Sequence, residues 1–517
     1  MCGIYAHLNQ TTARSVPRAQ MEHRGKDGFG IVHFGDSITL AHARLHVVGV
    51  PGTQPLKNAA ATTAVTVNGE IYNHASLRDT YGDLSRACQS DCDVLIPLLG
   101  DDLDMGKLRE IDGVFALVIA TADGRWMAAR DLVGVNPLYY ATTSAGDLFF
   151  ASERKMLNAP GLVVREFPPG HCWRHTDAGP VPWCVPAYID APPVETDLEP
   201  LQGLLEEAVR KRCMADVEFG VLLSGGLDST IVATVAQKMR KKNGLKPLQS
   251  FSIGLEGSPD LLYAAEVAAA IGTEHHSVHF TVDEGLAALP SVVRAIETVD
   301  VTSIRASTPM YLLAKYIHEN TDCKMVLSGE GADEVYGGYL YFHEAPSAAA
   351  FHAETVRKVQ SLHRFDLKRA NKALMAFSIE CRVPFLDLDF LAYSMQLDPR
   401  LKMPTANRIE KYILRDAFRG EVIPSVLWRQ KEQFSDGVGH QWIDSMKAKA
   451  AEPGLYTVAA EDFEAPPASA EQAMIMSFFT QHFTREQNVP CGMWTVEWQD
   501  DVDPSGRVAK VHAAKMH

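Results

Sequence analysis

Residues Ser224-Gly225-Gly226-Leu227-Asp228-Ser229 stand directly after an apolar run, Phe219 to Leu223, and before a helical-looking stretch, Ile231 to Met239. A strand that turns through two glycines into a helix makes this part of the chain an α/β unit. It also selects a chemistry. The glycines let the backbone approach a ligand closely, and the unpaired N–H groups at the helix start face an anion. Pyrophosphate fits such a cradle. The sequence contains no G-x-x-x-x-G-K-S/T, which disfavours a γ-phosphoryl kinase or GTPase and points to α-phosphate chemistry, with transfer of AMP and release of pyrophosphate. A carboxylate beside phosphates calls for Mg2+ to offset the charge, and Asp228 and Asp333 are its candidate ligands.

Around this loop, strands and helices alternate. Strand-like runs at Phe219 to Leu223, Leu248 to Ile253, His275 to Phe280 and Lys324 to Leu327 are interleaved with helical patterns beginning at Ser229 and spanning Leu261 to Ile271. The alternation predicts a parallel sheet with ligands at the carboxyl ends of its strands. Thr281 and Glu284 have the spacing of a capping box opening a further helix. A second glycine-rich turn, Ser328-Gly329-Glu330-Gly331-Ala332-Asp333-Glu334, follows the last of these strands, and Trp428 to Phe434 carries cations suited to neutralising a departing pyrophosphate. The first part of the chain is different: Ile38 to Leu45, Ala64 to Val67, Val114 to Ala120 and Trp126 to Ala129 are short β-prone runs broken by Gly, Asn and Asp. Prolines and acids between Pro180 and Pro200 have linker composition, so two domains are expected, 1–185 and 196–517.

The sheet-rich part begins Met1-Cys2-Gly3-Ile4. If Met1 is removed, Cys2 carries both a thiol and a free α-amine, and that amine can take the thiol proton with no histidine partner. The thiolate can attack the carboxamide carbon of glutamine and release ammonia. The oxyanion needs donors, which Asn68-Gly69 in a turn after a strand can offer as a side-chain amide and a backbone N–H. Arg44 suits the substrate carboxylate, and Glu70 and Asp91 its ammonium. His42, Arg44 and His46 alternate on one strand face, but without a second ligand pair they read as surface or packing residues rather than a metal site. The two motifs together describe an enzyme that frees ammonia at one site and uses ATP to fix it at another.

Bulk properties set limits on this reading. A net charge of −15 disfavours nucleic acid or an anionic membrane as a partner. Nine scattered cysteines, with no C-x-x-C pair, give neither a disulfide scaffold nor a zinc site. The longest apolar runs fall short of a membrane span, and a cytoplasmic protein is expected.

The chain closely resembles the glutamine-hydrolysing asparagine synthetases of the bacterial and plant B type. The resemblance rests on Met1-Cys2-Gly3-Ile4, His23-Arg24-Gly25, Arg44-Leu45, Asn68 to Asn73, Ser90-Asp91-Cys92 and the Ser224 loop. It continues through Ile304 to Met310, the Ser328 turn to Tyr339, Arg369 to Lys372, Arg382 to Asp387, and Trp428 to Gly439. It implies an N-terminal nucleophile glutaminase of α/β/β/α layers, followed by a parallel-sheet synthetase domain of the adenine-nucleotide α-hydrolase (PP-loop) type. Aspartate would be adenylylated to β-aspartyl-AMP, and ammonia would reach it through an internal tunnel. Glutamine, aspartate and ATP are the implied substrates, ammonia is an alternative donor, and a homodimer stays open. Glutamine would be held by Arg44, Val47, Val48, Asn68, Gly69, Glu70 and Asp91. Leu222, Ser224, Gly225, Gly226, Asp228, Ser229, Ile253, Ser328, Gly329 and Asp333 match the nucleotide site. Lys431 matches a pyrophosphate sensor, Glu330 the glutamate near the reacting carbonyl, and Thr302, Arg305, Asp366 and Arg369 the surroundings of the acyl-adenylate.

Three departures stand out. The usual Arg-Gly-Pro-Asp is Arg24-Gly25-Lys26-Asp27, the usual Arg-Leu-Ser-Ile-Val-Asp is Arg44-Leu45-His46-Val47-Val48-Gly49, and Cys381 replaces an alanine. Two other readings stay open: a related amidotransferase or synthetase acting on another carboxylate acceptor, and a nucleotide-binding regulator with an inactive glutaminase.

Overall fold

The computed structural model describes residues 1–11, 14–49, 54–82, 84, 90–100, 102–190, 192–430, 437–452, 454, 456, 458, 463, 465–483 and 493–498. Its first part holds two six-stranded antiparallel sheets. One runs in the order β10 (Arg165–Glu166), β8 (Tyr139–Thr142), β9 (Leu148–Ala151), β1 (Gly3–Leu8), β3 (Ile38–Arg44), β2 (Gly28–Phe34). The other runs β12 (Val181–Pro182), β11 (His171–Arg174), β7 (Trp126–Arg130), β6 (Gly113–Thr121), β5 (Thr63–Ile71), β4 (Leu56–Lys57).

The side-chain period of two explains why the sheets stack. In β6, Ala116, Val118 and Ala120 join the cluster between the sheets, while Phe115, Leu117 and Ile119 join the cluster on the outer face. Both faces are covered, so the strand reads as an unbroken apolar run and all nine of its residues are buried. Outside, α1 (Arg18–Met21) packs through Met21 on the first sheet, while α2 (His74–Tyr81) and α3 (Leu95–Leu99) pack through Leu77, Leu95 and Leu98 on the second. The layers are α/β/β/α.

The second part is α/β. After α4 (Pro200–Arg212), five parallel strands lie in the order β15 (Glu274–His279), β14 (Gln249–Gly254), β13 (Phe219–Leu222), β16 (Met325–Leu327), β17 (Glu380–Arg382). The helices are α5 (Leu227–Lys242) after β13, α6 (Pro259–Ile271) after β14, α7 (Val282–Ile296) and α8 (Val301–Asn320) before β16, and α9 (Ala332–Tyr336), α10 (Ala348–Ser361) and α11 (Asp366–Met375) before β17. Helix α5 begins two residues before the expected Ser229, because Gly226 with its extended backbone serves as N-cap. The expected capping box is present at α7: Glu284 N–H donates to Thr281 Oγ1 at 3.2 Å, and Thr281 N–H donates to Glu284 Oε2 at 2.8 Å. From β13 the chain moves to β14 and β15 on one side, then returns to β16 on the other. This reversal opens a crevice between the ends of β13 and β16. Among the described residues no helix is long and apolar enough to cross a membrane.

Candidate active sites

Cys2 precedes β1, and the pairing of Gly3 with Ala43 brings it beside Leu45, whose N–H lies 3.4 Å from Sγ. The Cys2 N–H donates to Asn68 Oδ1 at 2.7 Å. That bond orients the Asn68 amide and leaves its buried Nδ2 with no hydrogen-bond partner. An unpaired buried donor costs free energy unless a ligand satisfies it. Next to it, a Cβ on Gly69 would lie 2.2 Å from the Val114 carbonyl oxygen, so β5 can approach β6 here only as glycine. Burial raises the Cys2 thiol above its ordinary pKa, and Glu70, also fully buried, is pushed up to about 7. Arg382 of β17 opposes that rise from 3.0 Å. Asp91 accepts from Ile71 N–H at 2.8 Å. Arg44 ends β3, and buried Val47 and half-buried Val48 follow it. The strands thus gather Cys2, Asn68, Gly69, Glu70 and Asp91 from three separate stretches of sequence. His42 is buried, with its Nδ1 3.1 Å from Thr66 Oγ1, as a packing histidine would be.

A pocket occupies the crevice at the ends of β13 and β16. One end is apolar, lined by Leu222, Phe251, Ile253, Met310 and Leu313. The middle is the cradle, with Ser224, Gly226, Asp228, Ser229, Ser328, Gly329 and Asp333. Gly225 turns the loop at φ +74°, and a Cβ there would meet Tyr263 Cβ at 2.6 Å. Gly329 lets the second loop press on the first, since its Cβ would fall 2.9 Å from Asp228 Cβ. Ser229 Oγ, donating to the Gly226 carbonyl at 3.2 Å and accepting from Ser224 N–H at 3.2 Å, ties the loop to the start of α5.

Lys411 was not legible in the sequence. Its Nζ lies 2.5 Å from Asp228 Oδ2 and 2.5 Å from Asp333 Oδ1, on a backbone held at φ +60°. A non-glycine residue in that region is strained, which marks a position the surroundings enforce. Arg429 lines the same cradle, 2.8 Å from Asp260 Oδ1. Asp228 Oδ1 is buried without a hydrogen-bond partner, and two carboxylates facing a phosphate cradle are the donor set that Mg2+ accepts together with phosphate oxygens. The expected ligands therefore fit the ion.

At the far end stand Thr302, Ala306, Glu330, Tyr339, Asp366, Arg369 and Trp494. Arg369 Nη2 lies 2.8 Å from Glu330 and 2.6 Å from Asp366. Arg305, expected here, is directed elsewhere. Its Nε donates to Glu471 Oε1 at 3.0 Å and its carbonyl accepts from Trp442 Nε1 at 2.9 Å, which ties it to the helix Ala470–Thr480 behind the wall. On α8, Thr302 and Ala306 line the pocket, whereas the Arg305 side chain, although only three residues after Thr302, is drawn aside by Glu471. Lys431 lies outside the described residues.

The two sites share α11. Arg24 donates to the Cys2 carbonyl at 3.0 Å and to Asn371 Oδ1 at 2.9 Å, and pairs with Glu153 at 2.8 Å. Asn371 stands two residues after the pocket's Arg369. Lys372 pairs with Glu297 and donates to Tyr139 Oη at 3.0 Å, all fully buried. The unusual Lys26 contacts His318 Nε2 at 2.9 Å, and neighbouring Asp27 pairs with Lys324 at 2.8 Å, so the altered turn docks onto the second part of the chain.

A family model for asparagine synthase matches residues 200–350 and 344–501, and one for a glutamine amidotransferase domain matches residues 1–169. Asparagine synthetase (glutamine-hydrolyzing) 3 of Arabidopsis thaliana is 42% identical over 554 residues, covering 98% of this chain and 94% of its own. The Brassica oleracea protein of that name is 43% identical over 551 residues, covering 98% and 93%, and that of Sandersonia aurantiaca is 45% identical over 475 residues, covering 87% and 90%. With the cradle, the thiol site and the helix that joins them in place, the chain belongs to the asparagine synthase family and carries a glutamine amidotransferase domain ahead of its synthase domain.

Proposed function

We infer that this protein makes asparagine from aspartate, using ATP to activate the acceptor and glutamine as the nitrogen donor. The observation that carries the reading is the pairing of a thiol beside an unpaired amide donor with a phosphate cradle, joined through α11. Removal of Met1 turns the Cys2 nitrogen into an amine that takes the thiol proton. The thiolate adds to the glutamine carboxamide carbon, and Asn68 Nδ2 with the Gly69 N–H receives the oxyanion. Ammonia leaves, and water then cleaves the thioester to glutamate. Arg44, with Val47 and Val48 beside it, holds the substrate carboxylate, and Glu70 and Asp91 hold its ammonium.

In the second pocket, adenine takes the apolar end against Leu222 and Ile253. Ser224, Ser229 and the glycine backbone hold the phosphates; Asp228 and Asp333 would hold Mg2+, which would supply charge neutralisation there. Aspartate attacks the α-phosphorus from the far end, oriented by Arg369 and Thr302. Pyrophosphate departs toward Lys411 and Arg429, and Lys431 is the residue that by family resemblance senses it. Ammonia adds to the acyl carbon of β-aspartyl-AMP, Glu330 takes its proton, and AMP leaves. Free ammonia serves as an alternative donor. The glutaminase unit comprises residues 1–185 and the synthetase unit 196–517, in the cytoplasm.

The test is incubation of the purified protein with Mg·ATP, aspartate and amide-labelled glutamine, following labelled asparagine, AMP and pyrophosphate together. Stoichiometric formation of all three is expected. Pyrophosphate release that does not depend on aspartate would move the acceptor to another carboxylate.

A further inference from the structure

The acceptor end of the nucleotide pocket is finished by residues remote from both loops. The short segment 493–498 lies across it, and Trp494, 6% exposed, is part of the lining. Its backbone N–H donates to Asp300 Oδ1 at 2.9 Å. Asp300 is the N-cap of α8, and its other oxygen accepts from Ser303 N–H at 2.7 Å. The anchor of the segment is thus the same helix start that presents Thr302 to the pocket. Thr302 Oγ1 is buried there without a hydrogen-bond partner.

Two cations of α10 hold the segment from outside. Lys358 Nζ donates to the Thr495 carbonyl at 2.6 Å and sits 3.6 Å from the Trp494 ring centroid, while Arg357 reaches the same carbonyl at 3.2 Å. The indole then meets Tyr339 edge-on at 5.3 Å and 74°. Such an aromatic is large and rigid, with few rotamers to lose, and its contacts on both sides fix its plane. It stands where the acceptor's own chain, rather than the nucleotide, must fit.

We propose that Trp494 is a specificity-determining wall of the acceptor subsite, positioned by Asp300 and Lys358, which sets the length of carboxylate accepted and keeps water from the acyl-adenylate. The proposal rests on the reading of the pocket as an aspartate-adenylating site. Without the wall, water competes with ammonia. It adds to the acyl carbon, the acyl–phosphate bond breaks, AMP leaves with the electron pair, and aspartate is regenerated with release of a proton.

The experiment compares wild type, Trp494→Ala, Trp494→Phe and Lys358→Met, measuring KM for aspartate, the ratio of pyrophosphate to asparagine, and glutamine hydrolysis without ATP. Trp494→Ala is expected to raise KM for aspartate about tenfold or more, the scale of a lost pocket contact, and to lift the ratio above unity. Trp494→Phe should lie near wild type, Lys358→Met should shift both readouts in the direction of Trp494→Ala, and glutamine hydrolysis should not change. A Trp494→Ala enzyme with KM within about twofold of wild type and an unchanged ratio overturns the wall. Loss of glutamine hydrolysis along with synthesis overturns it too, since Trp494 would then serve folding. Wild type that releases no aspartate-dependent pyrophosphate instead overturns the functional reading beneath it.

Discussion

Cys2, Asn68 and Gly69 sit on or beside strands held by ladder hydrogen bonds, whereas the nucleotide pocket is lined largely by loops and helix starts beyond the strand ends. The first site is buried, and Cys2, Asn68, Gly69 and Glu70 are placed by strand pairing. The second gathers carboxylates and cations from residues as far apart as 228 and 429, and its charges balance one another: Lys411 between Asp228 and Asp333, Arg369 between Glu330 and Asp366. The contrast teaches that a site for one covalent attack can be rigid and preformed. A site that binds a polyanion and then releases two anionic products needs charges that change partners.

The comparison breaks most sharply by removing one side at a time. Cys2→Ala is expected to lower glutamine-dependent synthesis about a thousandfold or more and to spare ammonia-dependent synthesis. Asp228→Ala should abolish aspartate-dependent pyrophosphate release while glutamine hydrolysis continues. Loss of both activities in either variant, read by paired assays, would mean that the sites do not divide the chemistry.

The next largest effect lies between the sites. Lys372→Met leaves the buried Glu297 carboxylate with the backbone N–H groups of Arg154 and Lys155 and the more distant Lys155 ammonium, 3.7 Å away, so thermal unfolding should show a loss of about 3–5 kcal/mol. Adding Glu297→Gln should recover most of it, and no recovery would show that the pair is not the cause.

Within the thiol site, Asn68→Ala is expected to lower glutaminase turnover about a hundredfold to a thousandfold, with a smaller change in KM, because the donor acts on the oxyanion. A change confined to KM would place the amide on bound substrate instead.

The smallest effect is a pH dependence. Glu70, pushed up to about 7 by burial, is neutral below that value, so KM for glutamine should rise several-fold between about pH 8 and pH 6. Glu70→Gln should bind glutamine weakly at every pH, which removes the slope. The sign for stability is opposite: a raised carboxyl pKa contributes stability at low pH that is lost as pH rises through about 7.

Much of the fold was legible because burial on both faces writes continuous apolar runs such as Val114 to Ala120, and because helix starts carry their own caps, as at Thr281 and Glu284. The glycines of both cradle loops were legible for a related reason, since close backbone approach admits nothing larger at Gly225 and Gly329. Arg305 shows the limit. Its spacing from Thr302 on α8 suggests the same face, and Glu471, distant in sequence, draws the side chain away from the pocket. Lys26 reads in sequence as the loss of a rigid turn, and in the fold as a contact with His318.

The two chemistries and the residues proposed to carry them could be read from the sequence alone, because nucleophile, glycine and cap requirements are local and tied to particular side chains, whereas the order of the layers was implied only by the family resemblance. Only the tertiary structure decided which charges face one another: Lys411 between Asp228 and Asp333, Arg382 against Glu70, Arg24 joining Cys2 to α11, and Trp494 across the acceptor end. Electrostatic and packing partners are chosen by proximity in space. A chain of this length brings together residues hundreds of positions apart with no local pattern to announce it.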